Sequence, residues 1–191
     1  MNYPNRKATL SKATEEKRKS FSNRGMELES DINKTNSFYL DEDIAVIHKK
    51  PTPVRIVKVS YPCRAAAKIT EAYYQEASTT DYNGIYKAKY IDFEAKECAS
   101  KSSFPFSSIH PHQIEHLNRC LKHGAIAFII LRMTALGETY LIKAEDFIVY
   151  YKGTTRKSLP YSWIKENGYP ISFNLNKPCD YLKTVDKVYG F

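Results

Sequence analysis

Residues 79–97 read Thr-Thr-Asp-Tyr-Asn-Gly-Ile-Tyr-Lys-Ala-Lys-Tyr-Ile-Asp-Phe-Glu-Ala-Lys-Glu, and their second half alternates strictly. Ile91, Phe93 and Ala95 fall on one face of a strand; Tyr90, Asp92, Glu94 and Lys96 fall on the other. The pattern predicts a strand anchored by its apolar side, with an acid and a lysine pointing together from the opposite side. Asp81 opens the preceding run, and Lys87-Ala88 marks the turn that folds the two runs into a hairpin. That folding brings Asp81 alongside Glu94. Two carboxylates and a lysine on one sheet suit a divalent cation and a phosphate. Asp92 shares the face of Glu94 but sits roughly 7 Å along the strand, where it reads as a supporting or structural ion pair.

Outward from this hairpin, residues 25–39 have helical spacing, with Leu28, Ile32 and Tyr39 as the buried stripe. Glu29 lies beside that stripe; it either borders the site or is a solvated helix carboxylate, and both readings stand. A strand follows at 44–48. Pro51 and Pro53 then stiffen an extended segment. Residues 54–59 alternate as a strand that sets Arg55 opposite Val54 and Ile56, while 64–77 reads as a helix with Ala65, Ile69 and Tyr73 in one stripe. Downstream, 101–106 reads as a loop anchored by Phe104 and Phe106. His110 and Pro111 open a helix that ends at Gly124, with Ile114, Leu117 and Leu121 buried and Gln113 beside them. His112 and His116 stand one turn apart, a spacing zinc can use, but no metalloprotease glutamate follows His112 and no third ligand is in register, so no zinc site is expected. Residues 125–131 are apolar on both faces, as in a central strand. Residues 138–142 return across Gly137, 144–152 fit helix or strand, a short element lies near Trp163, and 181–189 form a closing helix. The sum is an α/β layer fold with a mixed central sheet flanked by helices.

The chain has 191 residues, enough for one domain with a substantial core. Its 29 Lys+Arg against 21 Asp+Glu give a net charge of +8, which points to a polyanionic partner. Residues 1–24 are basic and lack apolar period, so they read as a flexible arm that tethers phosphates through residues such as Arg24 or simply solubilises the chain. Cys63, Cys98, Cys120 and Cys179 are scattered without a C-x-x-C pair, a spacing that fits reduced thiols better than a zinc frame. No apolar run reaches membrane-spanning length and the N-terminus has no signal-peptide core, so a cytoplasmic, nucleoid-associated protein is expected.

The Asp81…Glu94-x-Lys96 pattern resembles the PD-(D/E)XK nuclease superfamily. More specifically, Ser22-Asn-Arg-Gly-Met26, Ile47-His-Lys-Lys-Pro-Thr-Pro-Val54, the stretch 78–97 and His112-Gln-Ile-Glu-His116 resemble the RecU family of bacterial Holliday-junction resolvases, over about residues 22–145. The resemblance implies a restriction-endonuclease-like core within a single nuclease domain (25–191), a projecting stalk inserted at about 49–78, and a homodimer whose stalks enter the junction. It further implies Mg²⁺ (or Mn²⁺) held by Thr79, Asp81, Glu94 and Gln113. Asp81, Glu94 and Lys96 would be catalytic, with Glu29 next to the metals as in related nucleases. Arg24, Lys49, Lys50, Arg55, Arg64 and Lys68 would contact DNA. Ala88-Lys89 departs from the Gly-Arg expected of that family. The implied activity is paired, symmetric nicking of four-way junctions in recombination and repair. Its rivals are a duplex-cleaving restriction or repair nuclease with the same triad, and a junction-binding module that modulates a recombinase without cutting.

Overall fold

The computed structural model describes residues 26–75 and 79–190; the basic arm at 1–24, with Arg24, lies outside them. Helix α1 (Met26–Asp41) leads into β1 (Val46–Lys49). An excursion follows through β2 (Val54–Ser60) and β3 (Lys68–Tyr74). The chain returns through β4 (Tyr82–Tyr86), β5 (Lys89–Cys98), β6 (Ser103–Pro105) and α2 (Pro111–Lys122). Next come β7 (Ile126–Met133), β8 (Glu138–Lys143), α3 (Ala144–Gly153) and β9 (Ser158–Pro160). The last elements are α4 (Tyr161–Asn167), β10 (Tyr169–Pro170) and α5 (Tyr181–Tyr189). The main sheet has six strands in the order β1-β4-β5-β7-β8-β10. Only β5 and β7 run parallel, joined through α2; the other neighbouring pairs are antiparallel.

The alternation of β5 sorts the molecule into its layers. Ile91 and Phe93 face α1 and α5, in one core with Leu28, Ile32, Tyr39, Phe128 and Tyr181. Phe93 lies between the rings of Tyr82 and Phe128, at centroid distances of 4.9 and 4.8 Å. The other face of the sheet packs Ala127, Ile129 and Leu131 of β7 against α2, α3 and α4 through Ile114, Leu117, Phe147 and Ile164. β7 is covered on both sides, as its continuous apolar run requires. The turn between β4 and β5 has φ of +46° at Lys87 and +61° at Ala88, the left-handed pair that a two-residue hairpin loop demands.

Two expectations need correction. The segment read as a helix over 64–77 is a short helical turn at Arg64–Ala66 followed by β3, paired antiparallel with β2. Ala65, Ile69 and Tyr73 form no buried stripe, because every residue of β2 and β3 is exposed. Without a partner for an apolar face, the β-branched and aromatic residues Ile69, Thr70, Tyr73 and Tyr74 favour a strand. The loop at 101–106 contains β6, which pairs with β9 and buries Phe104 and Phe106. The undecided segment 144–152 is helical.

Candidate active site

The polar side of β5 meets the end of β1, the start of β4 and the first turns of α2 in a cleft of about 520 Å³. Glu94 is fully buried and contacts two residues that line the cleft, Lys96 and Gln113. Lys96, two residues on, contacts Glu94 Oε1 and stands 3.7 Å from Asp81 Oδ2. The two carboxylates therefore converge on one ammonium. The same Asp81 oxygen accepts the backbone N–H of Ala95 at 3.2 Å, which ties the entry of β4 to β5. Gln113 comes from the first turn of α2: its Oε1 accepts the N–H of His110 (2.9 Å) and its Nε2 donates to Glu94 Oε1 (2.7 Å). Thr79 and Glu29 line the cleft as well. Glu29 pairs with Lys49 at 2.5 Å, half exposed at the rim.

Burial sets the electrostatics. It pushes the Glu94 carboxyl up to about 8; the Lys96 charge opposes this and Asp81 reinforces it. Burial also works against the charge of Lys96, yet Glu94 and Asp81 outweigh it and hold the ammonium above the ordinary lysine range. Glu94 Oε2 is buried with no hydrogen-bond partner among the described residues. In the ionised form this is a buried acceptor without a donor, which is costly unless a cation faces it. The donor set here is hard oxygen from carboxylate, hydroxyl and amide, the chemistry that Mg²⁺ and Mn²⁺ prefer. The residues present therefore fit a divalent metal.

A second polar cluster lies beside the first, and spacing alone did not reveal it. Asp92 is fully buried. Its Oδ2 accepts Lys50 Nζ at 2.8 Å and the Tyr90 hydroxyl at 2.9 Å, and lies 3.2 Å from His116 Nε2; its Oδ1 accepts the Thr80 hydroxyl. Lys50 also donates to Thr80 Oγ1 at 2.8 Å. The Lys50 ammonium, expected on DNA, is thus turned inward onto Asp92. Arg55, Arg64 and Lys68 are exposed on the β2–β3 excursion. Tyr82 is structural, stacked on Phe93 and bonded to Asn33 at 3.0 Å. Glu97 closes the strand by accepting the N–H of Leu28 at 2.7 Å, which fixes the start of α1 and hence Glu29.

A family model described as recombination protein U matches residues 23–187. A protein named Holliday junction resolvase RecU from Oceanobacillus iheyensis is 52% identical, covering 99% of this chain and 100% of that one. One of the same name from Streptococcus thermophilus is 48% identical, covering 100% and 98%. Among solved structures, the Holliday junction resolvase Hjc of Archaeoglobus fulgidus is similar at 13% identity and a TM-score of 0.44, covering 76% of this chain and 95% of that one.

Proposed function

The chain belongs to the RecU family, and from that membership we propose that it is a metal-dependent endonuclease that resolves four-way DNA junctions by paired, symmetric nicks. The observation that carries the reading is the convergence of Asp81 and Glu94 on Lys96, with Glu94 Oε2 left without a donor. Thr79, Asp81, Glu94 and Gln113 would hold Mg²⁺, with Mn²⁺ as a substitute. When bound, that cation supplies a lowered water pKa and neutralisation of the phosphate oxygens.

The remaining work falls to the chain itself. Lys96, held as an ammonium by two carboxylates, orients the attacking water and offers a preorganised donor to charge that develops on the phosphate. Losing one such donor costs about 2.7–4 kcal/mol of transition-state stabilisation. Gln113 now presents its amide nitrogen to Glu94; turning its oxygen that way instead would break the bond that Oε1 accepts from the His110 N–H. Ala95 N–H keeps Asp81 oriented. Asp92, Thr80 and Lys50 fix the strand ends on which Thr79 and Asp81 sit. Arg24, Lys49, Arg55, Arg64 and Lys68 bind phosphates along the arms, and the 49–78 excursion acts as the stalk. Glu29 stands at the rim within reach of the cleft. The protein acts as a homodimer in the cytoplasm.

Wild type and Glu94→Ala should be compared on a four-way junction and on linear duplex of equal length at matched salt. We expect the variant to bind junctions as wild type does but to lose metal-dependent nicking, and wild type to cut the junction in preference to the duplex. Junction binding by wild type with no nicking in Mg²⁺ or Mn²⁺ overturns the nuclease reading. Equal cutting of linear duplex overturns the junction specificity.

A further inference from the structure

Asp92, His116 and Cys120 each turn one ligand-type atom to a common point, all within 4.8 Å of one another. His116 and Cys120 are one turn apart on α2, and Asp92 comes from the neighbouring strand β5. His116 Nε2 lies 3.2 Å from Asp92 Oδ2 and 3.5 Å from Cys120 Sγ. Tetrahedral zinc with ordinary bond lengths separates such pairs by about 3.4 Å (oxygen to nitrogen) and about 3.6 Å (sulfur to nitrogen). We propose that Asp92, His116 and Cys120 form a second cation site that takes Zn²⁺, distinct from the all-oxygen cleft beside it.

The donor chemistry separates the two sites. Imidazole and thiolate favour zinc over magnesium, whereas the oxygen set at Glu94 favours the harder ion. Three protein ligands leave a fourth position for water, on the half-buried side of α2. Burial pushes the Cys120 thiol up, and Asp92 adds to this; in the metal-free protein the site therefore holds a thiol, whose proton passes to solvent as the sulfur–zinc bond forms. The competing cation is Lys50, 2.8 Å from the same Asp92 oxygen. Zinc takes that oxygen from Lys50 and releases its ammonium toward the adjacent cleft, which Lys50 and Thr80 already line. The site is thus conditional, filled in exchange for an internal ion pair. It does not depend on the cleft being a nuclease.

Cobalt substitution of the full-length protein tests this directly, because a thiolate–Co²⁺ bond gives a charge-transfer band that oxygen and nitrogen ligands do not. We expect one such band per chain in wild type, retained in an Asp81→Asn, Glu94→Gln double variant, and lost in Cys120→Ser. His116→Gln should weaken Zn²⁺, measured against a chromophoric chelator, by about tenfold or more. Should Cys120→Ser fail to fold by circular dichroism, alkylation of wild type decides. Zn²⁺ should slow modification of Cys120 while the exposed Cys63 reacts as before. Cobalt binding without the band, a band that persists in Cys120→Ser, or no zinc protection of Cys120 overturns the proposal; a purely hydrogen-bonded cluster gives those results.

Discussion

Glu94 is a carboxylate placed where burial opposes its charge, and its acidity should be measurable as stability. Unfolded, it titrates near 4.5; folded and metal-free, it is pushed up to about 8. Between those values the folded state holds a proton that the unfolded chain has lost. The contribution is fully present below pH 4.5 and disappears as pH rises through 8, with a slope of up to about 1.4 kcal/mol per unit. Urea denaturation of metal-free wild type should therefore show stability falling over that window relative to Glu94→Gln, which lacks the titration. The variant should be the more stable protein at pH 9 and inactive as a nuclease. Mg²⁺ should narrow the difference, because it binds only the folded state. Coincident wild-type and variant profiles would show that the carboxyl is not raised. The triad of Asp81, Glu94 and Lys96 was legible because period-two alternation fixes which residues share a strand face. Asp92 was legible as far as that face. Its neighbours were not: Lys50, Thr80 and the α2 pair His116 and Cys120 reach it from three segments, and local spacing carries no information about how a helix is laid against a sheet.

At the scale of elements, the β4–β5 hairpin is held by two opposite backbone demands. Gly84 faces β1 so closely that an added Cβ would lie 2.1 Å from the carbonyl oxygen of Val46 and 2.6 Å from Ile47 Cα. Backbone cannot yield as a side-chain tip does, so Gly84→Ala should cost at least the roughly 1–3 kcal/mol of overpacking. Ala88, by contrast, is an alanine at φ +61°. Ala88→Gly removes that left-handed strain and should stabilise the fold by about 0.5–1 kcal/mol after the added chain entropy, raising the melting temperature slightly. Thermal melts of the two variants should move in opposite directions; equal shifts would refute the backbone argument. The β2–β3 excursion invites a different measurement. Arg55 and Lys68 project from β2 and β3 and Arg64 from the helical turn between them, elements with no buried residue, so their effect on junction binding should be electrostatic. Replacing all three by alanine should flatten the dependence of log K on log salt by about 2.7, about 0.9 for each lost phosphate contact. An unchanged slope would remove this excursion from the DNA surface. It is also where sequence reading failed most clearly. Ala65, Ile69 and Tyr73 satisfy helical spacing by chance, and periodicity predicts a buried face only where something stands ready to bury it. Where a core does exist, as under β5, β7 and α2, the apolar pattern placed the elements closely.

At the scale of the whole molecule, each chain has one set of Asp81, Glu94 and Lys96, whereas resolving a junction requires two matched cuts on strands related by two-fold symmetry. A single copy would have to release the junction, turn over and rebind between cuts, leaving time for the branch to move and the second nick to fall out of register. A two-fold dimer avoids this by presenting two identical clefts at once. The consequence can be read with a mixed dimer, formed by co-expressing differently tagged wild-type and Glu94→Ala chains and purifying through both tags. If each cleft cuts its own strand, the mixed dimer should nick junctions once and accumulate singly nicked product. Release of two linear duplexes should fall to the level that rebinding allows. If the protein is the proposed two-fold dimer, wild type should show the two cuts tightly coupled in time on a supercoiled cruciform substrate, which relaxes after a first nick that is not promptly followed by the second. A mixed dimer that yields fully resolved duplexes at half the wild-type rate would mean that one cleft makes both cuts, and symmetry would then have no part in the mechanism.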